Sequence, residues 1–149
     1  MTEVRHATAD DVGLVLDLIT ALAGHHGQTE YVRTNESELL AAGFGSKPKF
    51  GVLLAEVDGV VAGFLSYTVC YSIWLGSSYM QIDDVFVLAD FRGKGVGESL
   101  MNESGHCCTE LGFSRIKWEV QPDNSAAIRF YERLGAKSYD KRLFTQSVG

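Results

Sequence analysis

Hydrophobic positions along the chain change period several times, and each change marks an element. Glu3 to His6 reads as a short strand, and Thr8 then stands as an N-cap ahead of a helical repeat. Between Asp10 and Leu22, the residues Val12, Val15, Leu16, Ile19 and Leu22 recur at intervals of three and four, which predicts a helix with one apolar face. Thr34 or Asn35 caps a second helix, Glu36 to Ala42, closed by Gly43. Two apolar runs, Val52 to Val57 and Val60 to Val69, flank Asp58-Gly59, a dipeptide suited to a two-residue hairpin. A third run, Tyr79 to Leu88, leads through a glycine-rich loop into a helix from Glu98 to Glu110. A half-buried strand over Arg115 to Val120 and a turn cluster at Gln121 to Ser125 follow. A helix from Ala126 to Leu134, stopped at Gly135, and a last strand near Tyr139 to Thr145 complete the order βααβββαβαβ. The expectation is an α/β fold in one domain, 1–149, with a mixed central β-sheet flanked by helices on both faces.

Composition narrows the surroundings. Hydrophobic content of 46% and charged content of 21% suit one ordinary core in 149 residues. No apolar run approaches the ~20 residues of a membrane span, and no signal-like segment opens the chain, so a cytoplasmic location without membrane contact is expected. Cys70, Cys107 and Cys108 are odd in number and lack ligand spacing, which predicts reduced buried thiols and no metal. A net charge of -6 argues against nucleic acid as a partner and tilts toward small cationic substrates.

The candidate chemistry begins at Arg92-Gly93-Lys94-Gly95-Val96-Gly97. Alternate glycines let the backbone approach a ligand, and a loop that opens a helix aims free N–H groups and the positive dipole end at one spot. Arg92 and Lys94 add positive charge, so the segment reads as a pyrophosphate cradle. A Walker loop needs Ser or Thr after the lysine, where Gly95 stands. A dinucleotide fingerprint needs a third glycine where Glu98 stands. The pattern Arg/Gln-x-x-Gly-x-Gly/Ala fits in full through Arg92, Gly95 and Gly97.

That pattern resembles the coenzyme A pyrophosphate loop of the GNAT N-acetyltransferase family. Asn124 to Ala136, with Phe130-Tyr131 and Leu134-Gly135-Ala136, resembles the second signature of the same family. Ala41 to Gly45, Tyr71 to Gly76 and Ile82 to Val87 resemble its spermidine/spermine (diamine) acetyltransferase-like branch, the likeness running from about residue 3 to about residue 145. Two positions depart from the branch pattern: Ala42 replaces the usual Asp, and Asp83 the usual Glu.

The resemblance implies acetyl transfer from acetyl-CoA to a primary amine of a polyamine, diamine or basic amino acid. It assigns the cofactor to Arg92, Gly93, Lys94, Gly95, Val96 and Gly97, to the backbone amides near Phe86 and Val87, and to Asn124. Tyr131 takes the role of the acid that protonates the departing thiolate. Asp83 takes the role of the base that removes the amine's proton, directly or through water, because an alkylamine is protonated at neutral pH. Adjacent acids on a strand face opposite sides of the sheet, so one meets the cleft while the other pairs elsewhere; Asp84 is the alternative base, a substrate contact or a structural carboxylate. His25 and His26 fall in a loop after the first helix, where His26 either meets substrate or is simply solvated. Tyr71 and Trp74 either wall the acceptor pocket or stabilise a homodimer contact. The alternatives are another acyl donor or acceptor within a biosynthetic pathway, and a non-catalytic acyl-CoA-binding module.

Overall fold

The sheet is built from hairpins before it acquires its single parallel pairing. The structure is a computed structural model and describes residues 1–149. Its elements are β1 (Thr2–His6), α1 (Val12–His25), α2 (Glu36–Gly43), β2 (Gly51–Val57), β3 (Val60–Ser72), β4 (Ser77–Val87), α3 (Val96–Glu110), β5 (Ile116–Lys117) and α4 (Ser125–Arg133). Strands run β1-β2-β3-β4-β5 across the sheet. The first three pairings are antiparallel; β5 joins β4 in parallel, at Met80↔Ile116 and Gln81↔Lys117 alone. The chain forms two compact units, Met1–Trp118 and Glu119–Gly149. No helix is long and apolar enough to cross a membrane.

Within the first unit, helices cover both sheet faces, as the period changes imply. On one face Leu53, Ala55, Leu65, Met80 and Ile82 pack against Val96, Leu100, Cys107 and Cys108 of α3. On the other, Val52, Leu54, Phe64 and Phe86 pack against Val15 and Leu18 of α1 and Leu39 of α2. Each large apolar side chain so buried contributes about 1.5–3 kcal/mol relative to exposure.

Local chemistry sets the boundaries. Asp58 and Gly59 both take positive φ, 50° and 81°, which matches the twist of the flanking strands. Asn35 is the cap of α2: its side chain accepts from Glu38 N–H at 2.8 Å. The Arg5 guanidinium binds Asp11 at 2.8 Å and Glu56 at 2.9 Å, tying β1 to β2 and to the start of α1. That partner holds the Asp11 carboxyl well below the usual carboxylate range.

Three expectations are corrected. The helix expected to end at Leu22 continues to His25, with His26 as its cap, because no left-handed position intervenes before Gly27 at φ 66°. The strand expected over Arg115 to Val120 contracts to Ile116–Lys117. No strand forms near Tyr139 to Thr145; Tyr139, Leu143 and Phe144 are all exposed, and their spacing of four and one puts them on no single strand face.

In the second unit α4 begins at Asn124, whose side-chain oxygen accepts from Ala127 N–H at 3.2 Å. Gly135, at φ 96°, provides the left-handed stop.

Candidate active site

The hydrogen-bonding register of β4 determines what the candidate site can do. Ser66 on β3 pairs with Asp84, yet the next residue, Tyr67, pairs with Ile82. Asp83 is therefore the extra residue of a β-bulge, opposite no partner of its own. Ile82 and Val85 both pack in the α3-side core, so the two residues between them turn to the α1 side together. This corrects the expectation that Asp83 and Asp84 face opposite sides of the sheet. A regular strand would separate them; the bulge resets the alternation and brings them side by side.

The surroundings of the two acids differ. Asp84 is half-buried and accepts a hydrogen bond from Ser66 Oγ at 2.6 Å. Asp83 is open to solvent, but its surroundings still deprive the carboxylate of some hydration, which raises its pKa. A hydrogen bond from Thr68 opposes the shift, and the charge of Asp84 adds to it. A base whose proton affinity lies above the ordinary carboxylate value is better matched to amine chemistry.

Beyond the bulge one edge of β4 is open. Leu88 N–H bonds to Ala62 O at 2.8 Å, so the alternation of an antiparallel ladder commits Phe86 to Phe64 and turns the N–H groups of Val85 and Val87 toward the other edge. The β5 ladder there covers Met80 and Gln81 and stops. Of the two amides expected to meet the cofactor, Val87 lies on the open edge while Phe86 is spent in the sheet; the N–H of Val85 faces the same edge as that of Val87. The Phe86 side chain is buried against Phe64 and His25, with ring centroids 6.4 and 5.9 Å away.

The glycine loop follows directly. Arg92 Nε donates to Val87 O at 3.0 Å, and the Arg92 guanidinium carbon lies 5.7 Å from the Phe86 ring centroid. Lys94 Nζ is 5.7 Å from the Phe91 ring centroid. Gly93 and Gly95 take φ 74° and 79°, and a Cβ at either would meet no atom within 4 Å. Their requirement is thus conformational, and the space before the helix is clear for a ligand. Gly95 is the N-cap of α3 and offers no side-chain acceptor, which leaves the first-turn N–H groups of Val96, Gly97 and Glu98 for an external anion. The buried Val96 anchors this turn to the core. This arrangement fits the pyrophosphate of coenzyme A.

His26 caps α1, and the His25 ring beside it reaches Phe86, so both belong to the α1 side of the sheet. Tyr71 and Trp74 sit at the far end of the β3–β4 hairpin, 64% and 96% exposed. Tyr71 pairs with Ser78, five positions along β3 from the Ser66–Asp84 pair, about 17 Å along a strand. Asn124 caps α4, and burial raises the pKa of the Tyr131 hydroxyl. Ser66, Thr68 and Val85 were not anticipated. The spacing of Ile82 and Val85, three apart where a strand demands two, was the available signal for the bulge that matters here.

Residues 17–136 match the Acetyltransferase (GNAT) family. The chain belongs to this family. It is an N-acetyltransferase by that membership, and acetyl-CoA is the family's acyl donor. The acetyltransferase is 29% identical to thialysine N-epsilon-acetyltransferase of Mus musculus over 144 residues, 91% of this chain and 84% of the relative. It is 28% identical to spermidine/spermine N(1)-acetyltransferase-like protein 1 of Homo sapiens over 146 residues, 90% of this chain but 20% of that longer protein. An aminoglycoside acetyltransferase from a soil metagenome, in complex with trehalose, superposes with a TM-score of 0.83 at 16% identity, covering 99% of this chain and 95% of that one. AAC(6')-Iy in complex with the bisubstrate analogue CoA-S-monomethyl-acetylneamine gives 0.77 at 19%, covering 100% and 99%. These two likenesses establish the fold.

Proposed function

We propose that this acetyltransferase moves the acetyl group of acetyl-CoA onto the primary amine of a small basic metabolite, such as a thialysine- or lysine-like amino acid, a diamine or a polyamine. The carrying observation is the pair of carboxylates that the β4 bulge turns to one face, on the strand that continues through an open edge and the glycine loop to the uncapped N-terminus of α3. Relatives named for thialysine and spermidine/spermine support the acceptor class.

Asp83 accepts the ammonium proton, directly or through one water, and releases the nitrogen lone pair for attack on the thioester carbon. Asp84 holds the acceptor's positive charge. N–H groups of Val85 and Val87 face the developing negative charge on the thioester oxygen. The nitrogen–carbon bond forms as the carbon–sulfur bond breaks, and the thiolate leaves as a thiol. By family resemblance Tyr131 supplies that last proton; a phenol is protonated at neutral pH, and burial raises the pKa of this one further. Arg92, Gly93, Lys94, Gly95, Val96 and Gly97 hold the pyrophosphate, and Asn124 holds the pantetheine arm.

The reading takes residues 1–149 as one catalytic domain, which the family match across 17–136 supports. It places the enzyme in the cytoplasm, where the free Cys70, Cys107 and Cys108 suit a reducing compartment. It also makes the enzyme a homodimer through the exposed Tyr71, Ile73, Trp74 and Leu75, an apolar group that a self-complementary contact removes from water. Trp74 and Tyr71 then border the partner's acceptor pocket, and His26 borders the pocket of its own chain. Thiol release from acetyl-CoA, measured with and without each member of an amine panel, tests the reading.

A further inference from the structure

Two hydroxyls on β3 match the two carboxylates on β4. Ser66 and Thr68 are two residues apart on a strand, so their side chains share a face. The bulge brings Asp83 and Asp84 to that same face: Ser66 donates to Asp84 at 2.6 Å, and Thr68, two residues further along β3, is the hydroxyl that offsets the upward shift of the Asp83 carboxyl. We propose that Ser66 and Thr68 are positioning residues that divide the two carboxylates between separate tasks, Ser66 setting Asp84 to anchor the acceptor's ammonium group and Thr68 setting Asp83 to take its proton.

Adjacent carboxylates repel, and without donors both turn outward into water. The Ser66 bond is short, in the range of hydroxyl donation to a charged oxygen, and fixes the orientation of the half-buried Asp84. It uses one oxygen and leaves the other to accept from a cation. Asp83 lies at the solvent-open side, where a proton taken from the ammonium can pass on to water. Besides each other, the charged or titratable side chains placed on this face are His25 at the end of α1 against Phe86, Arg92, whose guanidinium carbon lies 5.7 Å from the Phe86 ring centroid, and Lys117 on β5, whose amine lies 4.7 Å from the Tyr79 ring centroid. Neither Ser66 nor Thr68 changes charge, so their removal alters placement without adding a titrating group.

The inference rests on Asp83 acting as base, and the experiment separates the two. Steady-state kinetics against amine concentration and pH are measured for Ser66→Ala, Ser66→Thr, Thr68→Val, Thr68→Ser and Asp83→Asn. Ser66→Ala should raise the KM for amine about 10-fold with little change in kcat, the scale of a lost hydrogen bond to a charged group. Thr68→Val should move the acid limb of kcat/KM to higher pH, because the lost bond favoured the ionised carboxylate. Ser66→Thr and Thr68→Ser, which keep the hydroxyl, should restore wild-type values. Wild-type KM and pH profile in both Ser66→Ala and Thr68→Val, alongside an impaired Asp83→Asn, would overturn the proposal and leave the base in place. A fully active Asp83→Asn would remove the base and the proposal together.

Discussion

Ile82 and Val85 lie three residues apart on one strand, yet both pack into the core beneath α3. A regular strand returns to the same face every two residues, so the extra residue must be absorbed, and Asp83 absorbs it. The same displacement brings Asp83 beside Asp84 and precedes the open edge at Val85 and Val87. Core packing in this way determines where the acids stand.

Asp83→Asn should lower kcat/KM by about 100-fold or more near neutral pH, the scale of general base catalysis. The deficit should shrink as pH approaches ~10.4, where an alkylamine loses its proton unaided. Stability moves the other way. The folded protein binds this proton more tightly than the unfolded chain, so stability declines as pH rises from the ordinary carboxylate value through the raised one. Above that window Asp83→Asn should be the more stable protein, as read from chemical denaturation at two pH values. Equal activity of the two proteins at every pH would return the proton to bulk solvent.

Gly95→Val tests the loop. At φ 79° a β-branched residue is strained by about 1–3 kcal/mol, although no neighbour blocks its Cβ. The loop relieves that strain by abandoning the left-handed turn, and with it the aim of the α3 N–H groups. Calorimetry should then show acetyl-CoA affinity falling at least 10-fold in a folded protein. Unchanged affinity would place the pyrophosphate elsewhere.

Tyr131→Phe removes one hydroxyl and keeps the ring. If Tyr131 protonates the leaving thiolate, kcat should drop about 100-fold with acetyl-CoA affinity intact. A wild-type kcat would leave the ring with a packing role.

Trp74→Glu tests assembly. The indole is 96% exposed within one chain, so a glutamate there costs the isolated subunit almost nothing. In a dimer that buries it, the new charge is costly. Sedimentation should show a dimer for the wild type and a monomer of reduced activity for the variant. A wild-type protein that is monomeric and fully active would remove the dimer from the account.

Much of this was legible in the sequence, where local chemistry acts alone. Asp58-Gly59 makes its hairpin, Asn35, one of two candidate caps, starts α2, the turn cluster Gln121 to Ser125 leads into α4, and the pattern Arg92, Gly95, Gly97 opens α3 as spacing implies. The reading failed where a long-range pairing decides. Alternation placed Asp83 and Asp84 on opposite faces because it assumed an unbroken strand, and register against Ser66 and Tyr67 broke it. Phe86 was expected to offer its amide, but which edge of a strand an amide faces depends on the partner's phase and not on the residue. Tyr139 to Thr145 has strand-like composition without a single apolar face, and composition alone did not make it a strand.

The central claim is tested most directly by thiol release from acetyl-CoA across a panel of lysine-like amino acids, diamines and polyamines, with neutral and acidic amines as controls. The account predicts amine-dependent release with at least one small basic acceptor, lost in Asp83→Asn, and none with the controls. Tight acetyl-CoA binding with no amine-dependent release from any basic acceptor would contradict it.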